Sequence, residues 1–195
     1  MSHLLYIHGF LSSPLSYKAV QVDTWLRENR PDIQYHCPAL SAYPGPTQKT
    51  LASLVEQFLP ESVYLIGSSL GGYWATWLVE KYGLRAVLIN PAVKTGMLKP
   101  EYINVELRNY HSEDTYLLTE KDVEALFSVD VAEIRLHENY WLMVQTGDET
   151  LDYRLAIEKY TGARRLIEEG GDHSFQGFER WIAETIYFLE DIAAT

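Results

Sequence analysis

Val63-Tyr64-Leu65-Ile66-Gly67-Ser68-Ser69-Leu70-Gly71-Gly72-Tyr73-Trp74-Ala75 joins a short apolar run rich in branched residues to a second apolar run of helical length, through a Gly-Ser-Ser-Leu-Gly turn. This reads as strand, tight turn, helix. Within it, Gly67-Ser68-Ser69-Leu70-Gly71 has the Gly-x-Ser-x-Gly spacing. The central serine of such a turn is held in a strained backbone conformation with its hydroxyl turned outward, and only glycine two residues to either side lets the strand and helix backbones pass that closely. The register therefore selects Ser69 rather than Ser68. An ordinary glycine-rich strand-helix turn would show the same five residues, so the rest of the chain has to decide the meaning.

Working outward, apolar strand-like runs occur at 3–7, 33–37, 85–90, 140–146 and 164–168, in addition to the one before Ser69. Helical spacing lies between them. Ser13 reads as a cap with Pro14 at the first helical position, followed by Leu15, Ala19, Val22 and Leu26 on one face. Thr47 reads as the cap of a second helix carrying Leu51, Leu54, Val55 and Phe58. The helix over 70–82 is apolar on every side and ends at Gly83, which marks it as the central buried helix. A helix over about 151–160 and a terminal one over about 178–192, with Phe178, Ile182, Ile186 and Leu189 inward, complete the alternation. Strands alternating with helices imply an α/β fold: a mostly parallel six-stranded sheet with helices on both faces. The stretch 94–138 is far longer than the dozen or so residues a crossover needs, so it should hold an inserted cap segment within one domain spanning 1–195. There is no internal repeat, low-complexity tract or interdomain linker.

Composition narrows the function. The 195 residues are 47% hydrophobic and 22% charged, which is globular, and the formal charge of −11 disfavours nucleic acid and anionic membrane surfaces as partners. The single cysteine, Cys37, cannot form an intramolecular disulfide and lies in a strand-like run, so it reads as a buried structural thiol. No apolar run approaches the roughly eighteen residues of a membrane helix, and the N-terminus has no basic segment or cleavage site. The expectation is a soluble cytoplasmic protein acting on small molecules. No metal is implied, since there is no His-x-x-x-His or paired-cysteine spacing. No dinucleotide or nucleoside-triphosphate cofactor is implied either, since neither glycine-rich phosphate signature is present.

Parallel sheets carry their functional residues at the carboxyl ends of strands. Here His8-Gly9 follows the first strand, Ser69 the third, Asp148 the fifth and His173 the sixth. All four converge on one edge. A serine hydroxyl needs a base to take its proton and a third group to orient that base. Ser69, His173 and Asp148 supply that set, in the Ser, Asp, His chain order of the α/β-hydrolase triad. The oxyanion of a tetrahedral intermediate would be held by the backbone N–H of Leu70 and one from the His8-Gly9-Phe10 loop, with that of Phe10 as the expected donor. Asp152 competes with Asp148 for the acid. Asp148 is preferred because it directly follows the strand, whereas Asp152 falls where a helix should begin. His8 reads as a structural hydrogen-bonding residue, and His3, His36, His111 and His137 receive no role.

With those residues in place, Tyr6-Ile7-His8-Gly9-Phe10, Ser12-Ser13-Pro14, Gly67 to Gly72, Asn90-Pro91-Ala92-Val93, Gln145-Thr146-Gly147-Asp148-Glu149 and Gly170-Gly171-Asp172-His173-Ser174-Phe175 resemble the small bacterial YqiA-type esterases of the α/β-hydrolase superfamily. The resemblance spans nearly the whole chain and is weakest over 94–138. It implies a compact hydrolase lacking the first two strands of larger superfamily members, with Ser69, Asp148 and His173 as triad. The expected activity is hydrolysis of esters, or thioesters, of small or medium acyl groups. The negative charge disfavours acyl-CoA unless Arg108, Lys99 or Lys94 forms a local basic patch. The rival reading is a non-catalytic hydrolase-fold protein that binds a metabolite or partner. Residue patterns alone leave the substrate and the oligomeric state open.

Overall fold

The computed structural model describes residues 1–93 and 102–191. Strands β1 (Ser2–Ile7), β2 (Ile33–His36), β3 (Ser62–Ser68), β4 (Arg85–Ile89), β7 (Tyr140–Gln145) and β8 (Arg164–Glu168) form a six-stranded sheet in the order β2-β1-β3-β4-β7-β8. Every pairing in it is parallel. Two short strands, β5 (Glu106–Arg108) and β6 (Thr115–Leu117), make a separate antiparallel pair. Helices are α1 (Tyr17–Asn29), α2 (Pro44–Phe58), α3 (Leu70–Tyr82), α4 (Glu120–Phe127), α5 (Tyr153–Lys159) and α6 (Ile182–Leu189).

The sheet separates two apolar layers. On one face Leu5, Ile7, Leu65 and Leu88 pack against α2, α3 and α5. On the other, Tyr6, Ile66, Val87 and Trp141 pack against Ala19, Val22 and Leu26 of α1 and Ile182, Ile186 and Leu189 of α6. Alternate residues of each strand thus serve opposite layers, and the strands read as continuous apolar runs for that reason. α3 is buried from Leu70 to Thr76 and again at Leu78 and Val79, as its all-round apolar sequence predicts. It stops at Gly83, which takes a left-handed φ of 70°.

The stretch 94–138 lies between β4 and β7. Its first eight positions, 94–101, lie outside the described residues. The remainder holds β5, β6 and α4, and it is fastened to the body by Leu118, Leu126, Val129 and Ile134, all within the α3-side core. The Tyr73 hydroxyl donates to the Leu126 carbonyl at 2.9 Å. Thr119 caps α4 in a reciprocal box with Asp122.

Two helix starts differ from the sequence reading. α1 begins at Tyr17, not Pro14, because Ser13 closes a separate turn: its Oγ accepts from the Leu15 N–H and its carbonyl from the Ser16 N–H, each at 3.1 Å. Leu15 is left 71% exposed rather than on the buried face. α2 begins three residues before Thr47, at Pro44, and Thr47 instead donates from Oγ1 to the Ser41 carbonyl at 2.7 Å. The terminal helix opens as a 3-10 turn over Phe178–Trp181 before α6. No helix among the described residues is long and apolar enough to cross a membrane.

Candidate active site

β3 delivers Ser69 to the carboxyl edge of the sheet, two strands in from one side and three from the other. The Ser69 backbone sits at φ 56°, ψ −121°, a region that side chains rarely adopt. Three backbone hydrogen bonds hold it there: its N–H donates to the Ile89 carbonyl at 3.0 Å, and its carbonyl accepts from Gly72 at 2.9 Å and Ala92 at 3.0 Å. The flanking glycines are required by contact distance. A Cβ on Gly67 would lie 2.4 Å from the Gly71 carbonyl oxygen, and one on Gly71 would lie 1.8 Å from that of Ile7. Strand, turn and helix pass at backbone contact, and no side chain fits between.

Around Ser69 the structure brings together the residues that the sequence spreads over a hundred positions. His173 Nε2 lies 3.0 Å from Ser69 Oγ, and His173 Nδ1 lies 2.8 Å from Asp148 Oδ2 and 3.0 Å from Oδ1. Asp148 is sealed from solvent, with its side chain 1% exposed against 22% for His173. Its Oδ1 also accepts the N–H groups of Thr150 at 2.9 Å and Leu151 at 2.8 Å. An ionised carboxylate only accepts, so Nδ1 carries the imidazole proton and Nε2 presents its lone pair to the serine hydroxyl. Asp152 stands elsewhere: it caps α5 by accepting from the Arg154 N–H at 3.1 Å.

Leu70 opens α3 and Phe10 follows Gly9, whose backbone lies against Ser69 so closely that a Cβ there would be 3.3 Å from the Ser69 Cβ. Among the described residues neither the Leu70 nor the Phe10 N–H has an acceptor. His8 is buried and structural: Nδ1–H donates to the Gly9 carbonyl at 2.9 Å, and Nε2 accepts from the Leu40 N–H at 3.1 Å. Burial, reinforced by His111, holds its imidazole below the ordinary histidine range. The unfolded chain therefore takes up this proton first. Stability linked to His8 is present above the unfolded value near 6.5 and is lost as pH falls through it. We expect the wild-type melting temperature to drop more steeply than that of His8→Gln between about pH 7 and pH 5. Parallel slopes would detach His8 from the acid response.

Two residues that hold the histidine loop, Asn90 and Gln145, open segments that carry the family resemblance but receive no role of their own from it. Asn90, buried and at φ 40°, donates from Nδ2 to the carbonyls of Asp172 at 3.0 Å and His173 at 3.1 Å, and accepts from the Gln145 N–H at 3.0 Å. The buried Gln145 side chain donates to Glu168 at 2.8 Å and to the Gln176 carbonyl at 2.9 Å, while its Oε1 accepts from Asp172 and Gln176. The available signal was a polar residue closing each of two otherwise apolar strand runs. Glu149 adds a further bond, accepting the His173 N–H at 3.0 Å.

A cavity of about 800 Å³ opens over Ser69 and His173. From the stretch 94–138, Tyr102 and Tyr110 reach its wall. Two other aromatics of that segment do not: Phe127 is 53% exposed, and Tyr116 packs edge-on against Tyr43 at 5.6 Å. Of the candidate basic patch, Lys94 and Lys99 lie outside the described residues, and Arg108 is paired with Glu113. Cys37 is partly buried, with its thiol pushed up to about 11 by burial.

A parallel sheet of this order, with a strained serine between strand and central helix, defines the α/β-hydrolase fold. Solved structures agree on the fold. The chain is similar to a hydrolase candidate from Agrobacterium vitis S4 (16% identity, 96% of this chain and 88% of that one, TM-score 0.77). It is also similar to mouse alpha/beta hydrolase domain-containing protein 10 (16% identity, 97% and 89%, TM-score 0.73). A third relative is Est1E from Butyrivibrio proteoclasticus, solved with ferulic acid bound (15% identity, 97% and 89%, TM-score 0.72). By sequence the chain belongs to UPF0227, described as an uncharacterised protein family and comprising the YqiA-type proteins, whose model matches residues 3–190.

Proposed function

We propose that this protein is a serine carboxylic-ester hydrolase acting on esters, and by the same chemistry thioesters, of small or medium acyl groups. The observation that carries the proposal is the hydrogen-bonded line Ser69 Oγ, His173 Nε2, His173 Nδ1, Asp148, with the serine in a strained turn. Ser69 Oγ attacks the carbonyl carbon while His173 takes the hydroxyl proton. The tetrahedral oxyanion is held by the N–H groups of Leu70 and Phe10, each such donor being worth about a hundred- to a thousandfold in rate. Collapse breaks the ester C–O bond as His173 returns the proton to the departing alcohol. Water then repeats the sequence on the acyl-enzyme.

Relatives described as hydrolases support the reaction class, and Est1E was solved with ferulic acid bound. The test is direct. A fluorophosphonate should label the protein stoichiometrically and at Ser69 only, and chromogenic esters of increasing acyl length should be turned over. Absence of both would favour the binding-protein reading.

A further inference from the structure

The cavity over Ser69 has two unlike walls because α1 and α5 lie on opposite faces of the sheet. On the α5 side, Phe10, Val93, Tyr102 and Leu151 pack back onto the α3-side core, and Leu155 adds a further apolar surface. Both carboxylates on that side are already engaged. Glu149 accepts from the His173 backbone, and Asp152 caps α5 and pairs with Arg154 at 3.3 Å. On the α1 side the wall is Ser12, Ser16, Lys18 and Ser174. There the hydrogen-bonding capacity is largely unused. Among the described residues the Ser12 and Ser16 hydroxyls have no partner, and Lys18 Nζ, with three donors, spends one on the Ser174 carbonyl at 2.5 Å.

That bond also ties the α1-side wall to the loop that carries His173. Acylation joins Ser69 Oγ to the carbonyl carbon, breaks the bond from that carbon to the alcohol oxygen, and passes the serine proton through His173 to the departing oxygen. The alcohol half must therefore lie on the His173 side. Ser174 is the next residue along, and Lys18 is bonded to it. The half that stays on Ser69 is offered the apolar surface of Leu151 and Leu155. Asp172, whose charge acts on Lys18, would repel an anionic leaving group, which leaves neutral hydroxyls as the matching chemistry.

We propose that the cavity sorts the two halves of an ester: an apolar acyl chain on the α5-side wall, and a hydroxyl-bearing alcohol of the glycerol or sugar class on the α1-side wall, where Lys18 reads it. This rests on the ester-hydrolase reading above. A site built to hydrogen-bond a hydroxyl discriminates against the analogue lacking it, because its donors are then left unpaired. Burial lowers Lys18 to about 8, so it is still largely charged near neutral pH.

The experiment compares glycerol monobutyrate with propyl butyrate, which share the acyl group and the length of the alcohol. The full chain should favour the glycerol ester in kcat/KM by about tenfold or more. Lys18→Met should bring that ratio to within about threefold of one, whatever the absolute rates. Leu155→Ala should shift the preference among acyl lengths and keep the alcohol ratio. Equal wild-type rates on the two esters overturn the inference without any variant. An equal loss on both in Lys18→Met does so too, since Lys18 would then be only a prop for the histidine loop. Loss of the alcohol ratio in Leu155→Ala would reverse the walls and overturn it as well. Fluorophosphonate labelling with no alcohol preference sinks this inference alone, whereas neither labelling nor turnover of any ester sinks the hydrolase reading and this inference with it.

Discussion

Ser69→Ala is expected to abolish ester turnover and phosphonate labelling, while Ser68→Ala keeps a measurable rate. The two serines are neighbours, and only geometry separates them. Ser69 Oγ is 3.0 Å from His173 Nε2, and its backbone is held at φ 56° by glycine on either side. Ser68 is the last residue of β3 and is buried. In serine hydrolases, loss of the nucleophile costs about a millionfold in kcat, the remainder reflecting binding and oxyanion stabilisation alone. Removing the Ser68 hydroxyl should cost stability of about 1 kcal/mol and little chemistry. The measurement is kcat on a short-chain chromogenic ester beside the melting temperature. A dead Ser68 variant with an active Ser69→Ala would put the turn one residue out of register and remove the basis of the proposed reaction.

The second large effect is expected at the acid. Asp148→Asn should collapse kcat by about ten-thousandfold, the size of the corresponding change in serine proteases, because an amide cannot hold the imidazole in the tautomer that presents a lone pair to the serine. The melting temperature should also fall somewhat, since Asp148 Oδ1 accepts two backbone N–H groups as well as facing His173. Asp152→Asn should keep its rate and lose about 1 kcal/mol or less, as expected of a helix cap. Catalytic death in Asp152→Asn with a normal Asp148→Asn would move the acid four residues along the chain. Comparable small losses in both would mean that neither carboxylate orients the base.

How much of this was legible beforehand depends on what range of interaction each feature uses. The turn at Ser69 was readable because its constraint is local: Gly67 and Gly71 are needed by backbone contacts a few residues apart, together with one strand neighbour, Ile7. The helix over Leu70–Tyr82 was readable for a similar reason, its uniform apolarity and terminal Gly83 being chain-local signals. The convergence of Ser69, Asp148 and His173 followed from strand ends in a parallel sheet, a rule of topology that needs no coordinates. The starts of α1 and α2 were misplaced because local hydrogen bonds from Ser13 and Thr47 compete with helix capping, and the residue type is the same in either use.

By itself the sequence determined the sheet, its helices and the edge where the chemistry gathers, because burial periodicity and turn glycines act over a few residues. Only the tertiary structure decided which aromatics of 94–138 reach the cavity, that Asn90 and Gln145 carry the histidine loop, and that Asp148 rather than Asp152 faces His173. It also decided that Lys18, Ser12 and Ser16 share one cavity with Leu151 and Leu155, since α1 and α5 come to the same space from opposite faces of the sheet. The physical reason is that these are contacts between segments many residues apart. Whether a side chain such as Lys18 meets Ser174 is set by how whole helices pack on the sheet, and no local pattern of residues encodes that distance.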